Sequence, residues 1–123
     1  MISHIDHLVL TVSDIDASVT FFVDVLGMTP VVFGDGRKAV AFGEQKINLQ
    51  LAGQEMRNHA LEGSGDLCLI ASISLDDIIA HLQHKNIDIL EGPVEKTGAK
   101  GSMMSIYIND LDNNLIEISR YPE

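Results

Sequence analysis

One order of predicted elements occurs twice along this chain. In the first half, an alternating apolar strand at residues 4–12 precedes an amphipathic helix that ends at Gly27, and three strands follow. In the second half, a strand at 66–72 precedes a helix that begins after Ser74, and three strands follow again. A duplicated βαβββ unit predicts an α+β fold in which two curled mixed sheets surround a cup.

Capping and turn residues predict where several of these elements begin and end. Ser13 with Asp16 three residues later is a capping-box variant, which predicts the start of the first helix. Gly27 predicts that this helix ends at a residue with a left-handed backbone conformation. In the second half, residues 87–90 indicate a short strand, and the glycine-rich segment 91–101 indicates an excursion before the next strand.

A polar, glycine-containing connector separates the two halves. The length of 123 residues is that of one domain. We therefore expect a single domain over 1–123, built from modules 1–52 and 66–121 that are joined by the connector 53–65. The connector is long enough to act as a hinge or a lid.

Charge and composition exclude several classes of partner. The net charge of −10 repels phosphate, so neither nucleic acid nor an anionic membrane is an expected partner. The single cysteine, Cys68, cannot form an internal disulfide, which fits a reducing compartment. No apolar stretch approaches membrane-spanning length, and the N-terminus lacks a signal-peptide pattern. We expect a cytoplasmic protein.

The alternation of the strands places one polar, metal-capable side chain near each end of both halves. Aliphatic side chains occupy one face of each strand, and these polar side chains occupy the other. They are His7, Gln50, Asp66 and Glu117, with Asn48 as a rival on the same face as Gln50. Glu117 lies in the apolar strand NLIEISR, where an ion that loses its partner costs about 3–5 kcal/mol. Either the strand is an edge and Glu117 faces water, or a cation is its partner, and the apolar flanks favour the cation.

Two long segments resemble the vicinal oxygen chelate superfamily, which contains glyoxalases, bleomycin-resistance proteins and extradiol dioxygenases. They are HIDHLVLTVSDIDASVTFFVDVLGM and GPVEKTGAKGSMMSIYINDLDNNLIEISRY. The chain is similar, more narrowly, to single-domain glyoxalase-domain-containing proteins, some of which are called virulence-associated in bacteria. The resemblance covers nearly the whole chain. It implies a divalent metal that is held on facing strands and binds two neighbouring oxygens of a small substrate.

The resemblance also implies which residues hold the metal. His7 matches the family's first metal histidine, and Glu117 matches its last metal glutamate. Asp66 stands where most members have a second histidine, and Gln50 lies near the place of another ligand. One nitrogen and three oxygen donors suit Mn²⁺, Fe²⁺, Ni²⁺ or Mg²⁺, and they are less typical of Zn²⁺.

This donor set is most similar to that of the lyase and isomerase members, because extradiol dioxygenases use two histidines and one carboxylate. We expect a metal-dependent glyoxalase-like lyase or isomerase, in which Glu117 also carries a proton. A ring-cleaving dioxygenase and a metal-free binding protein for small molecules stay open as alternatives. The expected substrate wall consists of Phe33, Phe42, Met103 and Tyr107.

Relatives of this length usually form homodimers, in which each cup combines one half of each subunit. Uncovered sheet edges and apolar cup walls favour pairing here as well. We therefore expect a twofold homodimer in which His7 and Gln50 of one chain meet Asp66 and Glu117 of the other. A site within one chain would use the same ligands and stays open.

Overall fold

The computed structural model describes all 123 residues, and each half contains one strand, one helix and three further strands, in the predicted order. The first half consists of β1 (His7–Thr11), α1 (Ile15–Leu26), β2 (Thr29–Phe33), β3 (Arg37–Phe42) and β4 (Gln45–Gln50). The second half consists of β5 (Asp66–Ile70), α2 (Leu75–His84), β6 (Glu91–Gly98), β7 (Gly101–Asn109) and β8 (Leu115–Arg120). The predicted α+β fold with two βαβββ modules is confirmed. Neither helix has the length and apolar character needed to cross a membrane.

The chain divides into two compact units, Met1–Ser64 and Gly65–Glu123. Each unit contains one four-stranded mixed sheet, with strand order β1-β4-β3-β2 in the first and β5-β8-β7-β6 in the second. The first and last strands of each unit are parallel neighbours, whereas the remaining pairs are antiparallel. Residues on β1 and β4, or on β5 and β8, therefore lie side by side although they are distant in sequence.

The N-cap of helix α1 is Asp14, one residue later than the N-cap predicted at Ser13. Asp14 has the extended backbone of an N-cap, and its Oδ1 accepts a hydrogen bond from the Ala17 N–H at 3.0 Å. The carboxylate of Asp14 directly precedes the first helical residue, where it also meets the positive end of the helix dipole. The helix end at Gly27 is confirmed, with φ at +68°.

One face of the first sheet packs against α1. Phe22 of the helix is fully buried, and so are Val40 of β3 and Ile47 of β4. The contacts of α1 are with β2, β3 and β4. The opposite face of this sheet is consequently left for polar side chains.

The prediction for the segment between α2 and β7 is wrong. Residues 87–90 are not a strand, and β6 instead occupies most of the segment that was expected to be an excursion. Pro93 lies within this strand because β6 is at the edge of its sheet, where a missing N–H interrupts no ladder. The register shifts between Glu91 and Val94, and Gly92 has φ at +110°.

Candidate functional site

The free face of the first sheet carries the two ligands predicted in the first half. The parallel register places His7 beside Lys46, Val9 beside Asn48, and Thr11 beside Gln50. Side chains alternate along a strand, so these six residues share one face. His7 and Gln50 are thus on the same face, as their parity in the sequence predicts.

His7 is oriented by the preceding residue. Its Nδ1 lies 2.8 Å from Oδ1 of Asp6. This hydrogen bond, and next the charge of the imidazole, lower the pKa of Asp6. A carboxylate on one ring nitrogen is the usual support for a histidine that binds a metal through the other. The arrangement therefore leaves Nε2 of His7 as the nitrogen that can bind a metal.

Asn48 has an unsatisfied acceptor. Its side chain is 4% exposed, and its buried Oδ1 has no hydrogen-bond partner. Leaving such an acceptor unpaired costs on the order of 1–3 kcal/mol. Gln50, in contrast, donates from Nε2 to Oγ1 of Thr11 at 3.0 Å. A cation, or a hydrogen-bond donor of a bound molecule, would satisfy the unpaired oxygen of Asn48. Asn48 is therefore as good a candidate for a metal ligand as Gln50.

The register of the two units also matches Asn48, rather than Gln50, with Glu117. Val9 is the third residue of β1 and pairs with Asn48, whereas Cys68 is the third residue of β5 and pairs with Glu117. Counting from the first strand of each unit therefore makes Asn48 the counterpart of Glu117. The parity of the strand alone shows only that Asn48 and Gln50 share a face. The residue of β1 with which each pairs is what distinguishes Asn48 from Gln50.

A cavity of about 430 Å³ in the first unit is lined by His7, Asn48 and Gln50 together with Arg37 and Arg57. The amides of Asn48 and Gln50 therefore have two basic neighbours, and the carboxylate of Glu55 also lines the cavity. Arg57 is exposed and forms two hydrogen bonds of 2.9 Å to the carboxylate of Glu55.

These hydrogen bonds lower the pKa of Glu55 to about 2. Arg37 lies over the ring of Phe33, with 4.7 Å from Cζ to the centroid. Nζ of Lys46 lies 3.5 Å from the same centroid.

Phe33 and Phe42, both predicted to line the substrate wall, lie on different faces of the first sheet. Phe33 pairs with Arg37, which shares a face with Ala39 and hence with Asn48. Phe42 follows the opposite alternation and lies on the face of Val40, toward α1. Phe33 is therefore on the face of the predicted ligands, and Phe42 is outside it.

The corresponding face of the second sheet carries Asp66 and Glu117. Cys68 pairs with Glu117 on one side, and Tyr107 pairs with it on the other. Asp66 is exposed at the start of β5 and shares the face of Cys68. Met103 of β7 also lies on this face and is buried, at 5% exposure. Of the predicted wall, Met103 and Tyr107 thus accompany Glu117.

Glu117 is half-buried and held by hydroxyl groups. Oγ of Ser105 donates to its Oε2 at 2.7 Å, and Oγ of Ser119 lies 3.3 Å from the same oxygen. Both serines are fully buried. Glu117 forms no salt bridge with a lysine, arginine or histidine. The carboxylate therefore has hydroxyl neighbours and no cationic side chain as a partner, and the predicted cation stays a prediction.

Two neighbours of Glu117 have shifted acid–base properties. Partial burial, and next the charge and hydrogen bond of Glu117, raise the pKa of Tyr107. Burial raises the pKa of the Cys68 thiol and the charge of Glu117 adds to it, although the Ser119 hydroxyl acts in the opposite direction. Both groups therefore stay protonated at neutral pH, with the phenol of Tyr107 beside Glu117 and the thiol of Cys68 beside Ser119.

The predicted ligands are divided between the units, with His7 and Gln50 in the first and Asp66 and Glu117 in the second. Within the chain, no three side chains of histidine, cysteine, aspartate or glutamate are grouped so that they could hold a metal ion. The donor types do fit a divalent ion, because they comprise one imidazole, amide oxygens and two carboxylates. The unpaired Oδ1 of Asn48 and the cation-free carboxylate of Glu117 are both suited to such an ion.

The fold and these side chains define a vicinal oxygen chelate protein. Residues 4–118 match the model of the Glyoxalase/Bleomycin resistance protein/Dioxygenase superfamily. The match covers most of the chain, so the protein belongs to this superfamily.

Its relatives include two proteins in which about half of the aligned residues are identical. Virulence protein STM3117 of Salmonella typhimurium is 51% identical over 124 residues, which cover 98% of this chain and 86% of that protein. The crystal structure of STM3117 matches this fold with a TM-score of 0.93 over 99% of each chain. Glyoxalase domain-containing protein RDO1 of Mycosarcoma maydis is 49% identical over 122 residues, which cover 97% of this chain and 69% of RDO1.

A third relative is more distant. Metallothiol transferase FosB of Shouchella clausii is 27% identical over 119 residues, which cover 96% of this chain and 80% of FosB. The similarity therefore extends over both units of the chain and is not confined to one motif.

Proposed function

We propose that this protein is a metal-dependent lyase or isomerase of the glyoxalase type, which acts in the cytoplasm on a small substrate that offers two neighbouring oxygens. The observation that carries the proposal is Glu117, a carboxylate inside an apolar strand that has hydroxyl donors but no cationic partner. The name of the relative FosB, a metallothiol transferase, supports a metal in this fold. Superfamily membership supports a small-molecule substrate.

The residues that would hold the metal are His7, Asp66 and Glu117, together with an amide oxygen from Asn48 or Gln50. Two neutral donors and two carboxylates balance a divalent charge, which suits a partly buried site. An oxygen-rich set favours Mn²⁺, Fe²⁺, Ni²⁺ or Mg²⁺ over Zn²⁺. When bound, the metal would polarise a substrate carbonyl and stabilise an enediolate.

The side chains around the carboxylate support proton transfer at carbon. Glu117 is the proposed base, because it is the carboxylate on this face that is both half-buried and held in place. Tyr107 stays a neutral phenol beside it and can donate a hydrogen bond to a substrate oxygen. Phe33, Met103 and Tyr107 are the proposed substrate wall, whereas Phe42 lies on the other face of its sheet.

The charges of the two sheet faces support a homodimer with shared sites. The face of the first unit carries the cations Arg37 and Lys46. The face of the second unit carries Asp66 and Glu117, and its one cation there, Lys96, is paired with Glu91. Faces of opposite charge attract, and a metal site needs both sets of donors. We propose that the first unit of one subunit meets the second unit of its partner. A site closed within one chain would use the same donors.

Metal titration tests the ligand set. Isothermal titration of metal-free protein with Mn²⁺ should show a large loss of affinity in His7→Ala and in Glu117→Gln. The matched controls are His84→Ala on the exposed end of α2 and Glu95→Gln, whose carboxylate also accepts a 2.7 Å serine hydrogen bond. Both controls should bind as the unchanged protein does. Unchanged affinity in both site variants would refute the metal site.

Two further titrations separate the amide candidates. If the unpaired Oδ1 of Asn48 is the ligand, Asn48→Ala weakens Mn²⁺ binding more than Gln50→Ala does. The reverse order would assign the position to Gln50. Equal binding by both variants and the unchanged protein would mean that neither amide is a ligand.

Mixing the two inactive variants tests whether sites are shared. If His7→Ala and Glu117→Gln subunits exchange and sites are shared, each heterodimer regains one intact site and part of the Mn²⁺ binding returns. If each site lies within one chain, every site keeps one defect. An absence of recovery in a mixture whose subunit exchange is shown by mass labelling would refute the shared site.

The reaction class is tested with the hemithioacetal of methylglyoxal and glutathione, and separately with a catechol under oxygen. Loss of the hemithioacetal signal in the Mn²⁺-loaded protein supports the isomerase or lyase. Oxygen uptake with catechol and no hemithioacetal conversion would replace it with a ring-cleaving dioxygenase.

A further inference from the structure

Two buried serines lie between Glu117 and Cys68 on the face of the second sheet. Oγ of Ser105 lies 2.7 Å from Oε2 of Glu117 and 2.6 Å from Oγ of Ser119. Oγ of Ser119 lies 3.2 Å from Sγ of Cys68. Both serines have no exposed surface, so water does not compete for these bonds. The four side chains form one continuous hydrogen-bonded chain.

The number of available protons sets the direction in which this chain of hydrogen bonds donates. A carboxylate only accepts, so Ser105 uses its one proton to donate to Glu117. Ser105 must then accept from Ser119 at 2.6 Å, which directs the proton of Ser119 at Ser105 and leaves its 3.3 Å contact with Oε2 of Glu117 as the weaker branch. Ser119 must in turn accept from the thiol of Cys68. The shorter contacts thus run from Cys68 through Ser119 and Ser105 to Oε2 of Glu117.

We propose that Ser105 and Ser119 are positioning residues that fix Oε2 of Glu117 and thereby present its Oε1 to the metal. The inference rests on the proposed function, because it concerns how Glu117 would serve as a ligand. Ser105 touches the carboxylate directly and holds the oxygen. Ser119 acts through Ser105 and keeps the Ser105 proton directed at Glu117. Cys68 completes the chain as its terminal donor.

The direction of the chain predicts an order of effects. Ser105→Ala removes the 2.7 Å bond and leaves only Ser119, at 3.3 Å, to donate to the carboxylate. Removal of a group that orients a metal ligand typically weakens metal binding by roughly 10–100-fold. Ser119→Ala leaves the direct bond of Ser105 in place, so its effect is smaller. Ser105→Thr keeps the hydroxyl and restores most of the affinity.

A matched control is available in the same strand. Ser102 also donates a 2.7 Å hydrogen bond to a glutamate, Glu95, but the pair is exposed. Ser102→Ala therefore repeats the substitution and the loss of a serine–glutamate bond away from Glu117. Its Mn²⁺ affinity should equal that of the unchanged protein.

The infrared S–H stretch of Cys68 is a second readout that needs no metal. The chain has one cysteine, so the band has one source. In metal-free protein the band should lie at the lower frequency of a hydrogen-bonded thiol, and Ser119→Ala should move it toward the frequency of a free thiol. Ser102→Ala should leave it in place.

The outcomes separate this inference from the proposed function. If the unchanged protein does not bind Mn²⁺, the proposed function falls and the positioning role falls with it. If the unchanged protein binds Mn²⁺ and folded Ser105→Ala binds it equally well, only the positioning role is refuted. An S–H band that does not respond to Ser119→Ala would refute the direction of the chain. Weaker binding in Ser105→Ala, its recovery in Ser105→Thr and a shifted band in Ser119→Ala would support the inference.

Discussion

Asp110 organises the turn that begins the strand of Glu117, and its removal should destabilise the protein strongly. Its Oδ1 accepts hydrogen bonds from the backbone N–H of Asp112 at 2.9 Å and of Asn114 at 2.8 Å. Its Oδ2 accepts from Nδ2 of Asn114 at 2.9 Å. Oδ1 of Asn114 in turn accepts from the N–H of Gly65 at 2.7 Å. The carboxylate thus links the turn before β8 to the start of β5.

The size of the effect follows from the hydrogen bonds that are lost. Asn114 is fully buried and Asp110 is 6% exposed, so Asp110→Ala removes two hydrogen bonds of Asn114 where water has little access. The loss of each such bond costs about 1–3 kcal/mol. The N–H of Asp112 is less buried, and water replaces its partner. The free energy of unfolding should therefore fall by about 2–6 kcal/mol, a large part of the 5–15 kcal/mol that is usual for a domain.

Asp110→Asn should cost less than Asp110→Ala. The amide keeps one oxygen for the two backbone donors, but its NH₂ group then faces Nδ2 of Asn114, donor against donor. We expect a loss of about 1–3 kcal/mol, which corresponds to one lost hydrogen bond. Asp88→Ala removes an exposed aspartate of the same unit and should change stability by less than about 0.5 kcal/mol.

Urea unfolding followed by circular dichroism measures these differences. All four proteins are compared at one concentration, because subunit association would make the midpoint depend on it. Equal slopes with a lower midpoint indicate a change in stability alone. If Asp110→Ala unfolds within about 0.5 kcal/mol of the unchanged protein, the bonds of the turn carry no net stability and the reasoning is refuted.

Three further predictions concern the site and its sheet. Asp66→His adds a softer donor, so competition among metals should shift toward Zn²⁺ or Fe²⁺; an unchanged order would mean that Asp66 is no ligand. In a background that lacks the other tyrosine, the phenolate absorbance of Tyr107 should appear above its ordinary pH range, and Glu117→Gln should lower that midpoint because the neighbouring negative charge is gone. Gly92→Ala should destabilise by at least about 1–3 kcal/mol, because φ is +110° and a Cβ would lie 2.4 Å from the carbonyl oxygen of Ser105; thermal unfolding at the wild-type midpoint would contradict this.

Strand periodicity was sufficient to place the predicted ligands on the correct faces. His7 and Glu117 lie opposite the aliphatic side chains of their strands, as the alternation predicts. The order of helices and strands could also be predicted, because a helix and a strand differ in hydrophobic period. Whether two residues of a strand share a face depends only on their spacing, so a small error in where the strand begins does not change the prediction.

Features that depend on a pairing partner could not be predicted from the sequence. Pro93 and two glycines made β6 look like an excursion, because nothing local shows that the strand is at a sheet edge where proline is tolerated. Asn48 shared its parity with Gln50, and only the register with β1 makes it the counterpart of Glu117. The hydrogen bond of Ser105 could not be predicted for the same reason, since it is 12 residues from the carboxylate that it contacts.

The two units differ in charge at the positions that their registers match. Where the first unit has His7 and Asn48, both without negative charge, the second has Asp66 and Glu117. Two carboxylates in one place repel, and a divalent ion balances their charge when the other donors are neutral. For the proposed metal site, two copies of the first unit would lack the anions to hold the ion, and two copies of the second would carry four negative charges. Under the proposed function, this difference in charge would make each half dependent on a half of the other type.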